Sequence, residues 1–249
     1  MSGFSLDWLR LRADADDRAR APGLLARAAA FGAGRPLLVA DLGGGAGATR
    51  RALGPYLPRA RWRVLDHDRA LLSAIPPGPD VETVEADLAA RPEVAFEGGP
   101  GLVAASAFFD LVSAGWIRRF ADLLVAARLP LYAALTYDGR EMWDPAPPGE
   151  AQALAAFHAD MGRDKGFGPA LGPAAPDALA AALRDRGYRV EEGTSDWVLE
   201  AGRDGALIAA LAQGGTEALG PSAPKGWAAG RAAARAVRIG HRDLWAEPG

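Results

Sequence analysis

The chain has 249 residues, 49% of them apolar and 24% charged, the balance of a globular protein with one large or two small domains. A formal charge of −3 gives no electrostatic reason to expect nucleic acid or an anionic membrane as partner. With no cysteine, disulfides, thiolate metal sites and a cysteine nucleophile are excluded, which suits a cytoplasmic location.

Acids and arginines interrupt residues 1–21, so no apolar run of signal-peptide length is expected there. No run reaches the roughly 18 uncharged apolar residues that span a bilayer; GLVAASAFF stops at Asp110. Only Lys165 and Lys225 are lysines among the 28 basic residues, an arginine bias that reads as a GC-rich genome.

Residues 4–31 alternate charge with Leu and Ala at helical spacing, predicting one or two amphipathic helices. A first strand is predicted over 35–43 and a helix over 47–57, closed by Pro58. RWRVLDHD (61–68) reads as a second strand, with Asp68 placed to cap the short helix after it. VETVEAD (81–87) alternates as a third strand, and GLVAAS (101–106) is a fourth, followed by a helix to about Arg128. A second register would end the fourth strand at FFDLVSA and bring Asp110 into the sheet. The apolar run 129–137 is a fifth strand. Buried runs separated by helices predict an α/β fold, with a mostly parallel sheet covered on both faces.

Beyond residue 137 the rhythm changes. Residues 138–174 hold one helical stretch and a Gly/Pro-rich segment, expected to form a substrate lid. A helix over 175–187 leads into a long strand, 188–201; helical stretches near 203–219 and 226–237 precede a last strand, 239–247. The expectation is one domain, with 1–34 as a helical cap, 35–137 as cofactor core and 175–249 completing the sheet around a helical insertion.

The stretch VADLGGGAGATRRAL (39–53) carries the chemistry. A glycine-rich turn between strand and helix lets main chain approach a ligand, with free N–H groups at the helix end. The P-loop pattern is absent. Gly43, Gly45 and Ala48 fit a loose nicotinamide fingerprint, with Asp66 at the distance of a ribose partner. Asp41, Gly43, Gly45 and Gly47 equally spell D-x-G-x-G-x-G, and that spelling resembles motif I of the class I S-adenosylmethionine-dependent methyltransferases.

RVLDHDRALL, VEADL and GLVAASAFFDLVSAGWI resemble the next segments of that family, in order. The resemblance implies a Rossmann-like open sheet with an antiparallel last strand, and S-adenosyl-L-methionine as cofactor. It places the glycine loop (Gly43, Gly44, Gly45, Gly47) against the ligand, with Asp41 beside its positively charged methionine end. It assigns Asp66 to the ribose hydroxyls and Asp87 to the adenine amino group, and sets His67, Leu88 and Ser106 at the same cofactor. A ligand without phosphate needs close backbone approach and acids rather than anion clamps, and Asp41 would be a poor neighbour for a pyrophosphate. The opening helix, LTYDGR and DKGFGPALGP also resemble a bacterial group within the family that has no assigned substrate.

Ligands of open parallel sheets bind beyond the carboxyl ends of the strands, which directs attention to residues 106–116 and 136–143. Asp110 lies in an apolar stretch, where a charge is expensive unless paired or used. A general base is needed only where the acceptor must lose a proton; His158 leads, with Asp110 or Asp138 as alternatives. Trp116, Tyr137, Arg140, Trp143, Lys165 and Phe167 are the expected substrate contacts. Arg12, Asp16 and Arg20 share one helix face, as a solvated stripe or as a cover bringing Arg12 to the methionine carboxylate. Strand alternation turns His67 away from Asp66 and Asp68, and no metal is expected. The reading is methyl transfer to O or N of a small molecule, with no nucleic acid or membrane partner. A nicotinamide oxidoreductase and a non-catalytic cofactor-binding relative are the alternatives.

Overall fold

The computed structural model describes residues 4–249. Helix α1 (Leu6–Ala19) starts at Ser5, whose hydroxyl accepts the Trp8 N–H, and α2 (Pro22–Gly32) opens on a proline, where no helical bond is lost. β1 (Leu37–Leu42) is almost wholly buried and runs through the glycine turn into α3 (Ala48–Leu53). β2 (Ala60–Asp66) leads to α4 (Arg69–Leu72), capped by Asp68, which accepts the Ala70 and Leu71 N–H groups. β3 (Val81–Glu85), β4 (Leu102–Ser106), α5 (Ala114–Ala127) and β5 (Leu131–Asp144) follow. The chain continues through α6 (Glu150–Met161), α7 (Ala175–Arg184), β6 (Tyr188–Thr194) and β7 (Trp197–Glu200). It closes with α8 (Ala201–Leu219), α9 (Trp227–Ala232) and β8 (Ala236–Pro248).

The strands form one eight-stranded sheet in the order β3-β2-β1-β4-β5-β8-β6, with β7 also on β8. β1 to β5 pair in parallel, and β8 runs antiparallel to β5, β6 and β7. The sheet is thus mostly parallel with an antiparallel last strand, as the sequence predicts. Strand order reverses between β1 and β4, which opens a crevice at their carboxyl ends. One face packs Ile117, Phe120 and Leu179 from α5 and α7 with Phe109 of the turn before α5, and the other packs Leu24 of α2 and Leu53 of α3 with Trp62 and Trp245 of the sheet. A separate cluster of Tyr137, Trp143, Trp197, Leu207 and Ile239 forms where the sheet extends past the crevice. Among the described residues no helix is long and apolar enough to cross a membrane.

Several boundaries differ from the expectation, for physical reasons. β5 runs on to Asp144 because its second half pairs with the first half of β8, Tyr137 opposite His241 and Trp143 opposite Val237. Residues 138–144 therefore belong to the sheet and not to a lid. The strand expected over 188–201 breaks at Ser195–Asp196 into β6 and β7, which pair with successive parts of β8. The helix expected to 237 stops at Ala232, since 236–248 is strand. Residues 109–111 form a 3-10 turn, which excludes the second register of the fourth strand.

β5 is not regular. Its pairing with β8 shifts between Ala133 and Thr136, and Leu135 sits there at φ +56°, a left-handed conformation that costs a non-glycine residue about 1–2 kcal/mol. Asp243 of β8, fully buried, holds this bulge by accepting the Leu135 N–H at 2.8 Å. Its other oxygen accepts the Ala21 N–H at 2.9 Å, at the junction of α1 and α2. Burial pushes the Asp243 pKa above the usual carboxylate range. Asp243→Ala strands two buried N–H groups and should cost about 2–6 kcal/mol in urea denaturation, at about 1–3 kcal/mol for each.

Candidate functional site

The glycine turn is bare for two reasons. Gly43, Gly45 and Gly47 have φ of +56°, +50° and +87°, which favours glycine at each. The space around them is also filled from within the protein. A Cβ on Gly43 would lie 2.5 Å from the Phe108 ring, and one on Gly44 would strike Val64 and Asp41. A Cβ on Gly45 would first meet Leu9 of α1, at 3.3 Å, so the first helix lies across the loop.

Behind the loop sits a set of buried charges. Asp41 ends β1 fully buried with neither carboxylate oxygen hydrogen-bonded, and burial pushes its pKa up to about 7. Arg20, directly after α1, is 4% exposed and donates from Nη2 to Ser106 Oγ at 3.0 Å, while its Nε and Nη1 have no partner. Ser106 also lies 3.0 Å from the Thr49 hydroxyl. Asp66 accepts the Gly45 N–H and the Asp68 N–H, each at 2.9 Å, so it fixes the loop as well as facing it. His67 lies past the end of β2, so alternation does not turn it away; its Nδ1 is 3.4 Å from Asp66. Asp87 is exposed and caps the turn after β3 through the Ala89 and Ala90 N–H groups. The Leu88 carbonyl accepts from Trp116 Nε1 at 2.7 Å.

The stripe on α1 is buried rather than solvated. Arg12 and Asp16 are 8% and 5% exposed and pair through Nε and Nη2 at 3.0–3.1 Å. The Arg12 guanidinium stacks 4.8 Å over Trp197, whose Nε1 donates to Asp16. Arg12 is therefore committed to a carboxylate and a ring, and Arg20 holds the open donors. The charge of Arg12 acts on both Asp110 and His241. Asp110 has an unpartnered Oδ1 and is pushed up to about 6 by burial. His241 has an unpartnered Nδ1, and burial lowers it to about 3, so the ring is neutral.

A second network closes the far side. Tyr137 donates its hydroxyl proton to Glu141 at 3.1 Å and lies 2.9 Å from His158 Nε2. With that proton spent on the carboxylate, Nε2–H donates to the Tyr137 oxygen and the lone pair of His158 resides on Nδ1. Burial lowers the His158 pKa from its usual value, which favours the neutral ring. Glu141 also accepts from Trp143 Nε1 at 3.0 Å and from Arg231 at 2.6 Å. Arg231 lies between Trp143 and Trp227, 4.1 and 4.5 Å from the rings, and pairs with Glu150 of α6.

Other expected contacts fall elsewhere. Asp138 and Arg140 pair with each other at 2.6 Å, and Arg140 with Asp196 at 2.8 Å, an ion pair that leaves Asp138 no free role as base. Trp116 is core: it stacks on Phe120 at 5.2 Å and, with Phe167, packs edge-on against Phe108. Lys165 is exposed on a loop. The sequence reading missed the importance of Arg20, Glu141, Arg231 and His241. Only Arg20 left a signal, the i, i+4 series from Arg12 and Asp16. Among the described residues no group of three acids or histidines is placed to hold a metal.

No protein-family model matches the chain, nor does any curated protein. Solved structures do match it in fold. The cyclopropane synthase MmaA2 of Mycobacterium tuberculosis is 12% identical with a TM-score of 0.53, over 99% of this chain and 100% of that one. YcgJ of Bacillus subtilis is 12% identical with a TM-score of 0.51, over 91% of this chain and 98% of that one. The chain shares a Rossmann-like α/β fold with these proteins. A cyclopropane-fatty-acyl-phospholipid synthase-like protein of Lactobacillus casei is 15% identical with a TM-score of 0.50, over 93% of this chain and 98% of that one. In this fold the bare loop, Arg20 and Asp41 lie at the switch in strand order, where a ligand belongs.

Gly43→Ala would combine a left-handed alanine with a ring clash. Thermal or urea denaturation should show a loss of about 2–4 kcal/mol without any ligand present.

Proposed function

We propose that the protein transfers a methyl group from S-adenosyl-L-methionine to oxygen or nitrogen of a small molecule. One observation carries the reading: a buried guanidinium and a buried carboxylate, both with unspent hydrogen-bonding groups, flank a bare backbone turn. Unpaired buried charges are costly. A zwitterionic amino acid satisfies both at once, its carboxylate on Arg20 and its ammonium on Asp41. A pyrophosphate does not, because it would meet Asp41. The residues therefore fit the methionine end of this cofactor, and Asp66, His67 and Asp87 are the groups we assign to its ribose and adenine.

When bound, the cofactor supplies a sulfonium methyl group that is open to in-line attack by a nucleophile. The chain's own contribution is orientation and exclusion of water, with effective molarities of about 10⁵ M or more in principle. Ser106 holds Arg20 in place, and α1 covers the loop through Leu9. Where the acceptor must lose a proton, we assign His158 to accept it at Nδ1, with Tyr137 and Glu141 fixing the tautomer. The low net charge supports a small-molecule substrate over nucleic acid, and the cysteine-free composition supports a cytoplasmic location.

Isothermal titration with S-adenosylhomocysteine and with NAD(H) tests the reading; binding of NAD(H) alone would overturn it. Arg20→Met should weaken S-adenosylhomocysteine binding about 10–100-fold, a loss of about 1.5–3 kcal/mol for a charged hydrogen-bond partner. An ammonium beside Asp41 favours its ionised form, so near pH 7 binding should release about half a proton. Titrations in buffers of different ionisation enthalpy read that release, and Asp41→Asn should abolish it.

A further inference from the structure

The methyl-transfer reading uses Arg20, Asp41 and His158 but leaves other buried polar groups unexplained, among them Asp110 and His241. Asp110, in the turn after β4, is 9% exposed with Oδ1 unpartnered, and His241 of β8 is 5% exposed with Nδ1 unpartnered. Buried polar groups in folded proteins are nearly always paired, and two at the carboxyl edge of a sheet point to a ligand. α1 acts as a ruler for their position. Leu9 touches the glycine turn, and Arg12, one helical turn further on, stacks on Trp197 and acts electrostatically on both groups. The His241 ring is 5.1 Å from Trp197 and 6.1 Å from Tyr137, and the Tyr137 ring is 5.7 Å from His158. Asp110 comes two residues after Phe108, which abuts the glycine turn, and His241 lies opposite Tyr137, whose hydroxyl meets the assigned base.

Charge narrows what can bind there. Of the arginines nearby, three are already met by acids, Arg12 by Asp16, Arg140 by Asp138 and Asp196, and Arg231 by Glu141 and Glu150, and Arg20 is the one assigned to the cofactor carboxylate. An anionic group would find Asp110 facing it and no cation left to offset the repulsion. A neutral imidazole and a carboxyl instead accept hydrogen bonds. We propose that Asp110 and His241 hold the methyl acceptor, and that they take an O–H or N–H donor while excluding a carboxylate or phosphate. This rests on the methyl-transfer reading of the same crevice.

Crystals of the S-adenosylhomocysteine complex, soaked separately with phenol, benzylamine and benzoate at one concentration, test it. Phenol or benzylamine within hydrogen-bond distance of Asp110 or His241, with benzoate absent there, is the expected result. Benzoate in that place, or none of the three, overturns the proposal. Asp110→Leu and His241→Phe keep the bulk of each side chain and should weaken the bound probe about tenfold or more, the loss of one buried hydrogen bond. Both should hold S-adenosylhomocysteine within about twofold of the unaltered protein; unchanged probe affinity overturns the assignment. Failure of the unaltered protein to bind S-adenosylhomocysteine falls on the methyl-transfer reading. Normal binding with the probes lodged elsewhere falls on this one.

Discussion

The carboxylate of Asp243 is the point from which the working half of the molecule is arranged. It is fully buried and takes one N–H from the bulge in β5 and one from the start of α2. The bulge decides which side chains of the fifth strand face the crevice, since a one-residue shift reverses every side chain beyond it. The second bond fixes where the first helix ends, and with it Arg20. One side chain therefore sets both the floor and the cover of the site. A buried carboxylate serves this purpose because two backbone donors satisfy it, while a hydrophobic residue would leave both donors unmet.

α1 is the second organising element. Its inward face carries Leu9 to the glycine turn, Arg12 and Asp16 to Trp197, and the residue after its end to Ser106. These contacts are of different kinds: an apolar cover, a paired charge that shapes local electrostatics, and a guanidinium with open donors. The helix and the residue after it thus reach the glycine turn, Trp197 and the end of β4 without belonging to the sheet.

How much of this was legible beforehand depended on the range of the interactions. The first five strands, the cap at Asp68 and the glycine turn are local signals of apolar runs, turn residues and spacing, and they stand in the structure with boundaries moved by a few residues. The continuation of β5 to Asp144 was hidden because TYDGREMWD looks like a polar turn until β8 pairs with it, a contact about a hundred residues away in sequence. The same distance hid Glu141 and Arg231, whose partners come from separate elements. Trp116 was misplaced because aromatic character does not say which face of a helix it occupies; α5 buries it against Phe120. Arg20 was visible in its spacing, yet only the partners that the fold brings distinguish its open nitrogens from those of Arg12, which Asp16 takes.

The glycine turn holds a lesson about signatures. Phe108, Val64 and Asp41 press on it from behind, so its lack of side chains is demanded by the protein's own packing before any ligand arrives. A chain with this packing is compelled to keep Gly43 and Gly44 whatever it binds, and would display the same glycine spelling with no ligand at all. In this architecture the diagnostic letters are the charged ones, whose isolation inside the fold has no purpose without a guest.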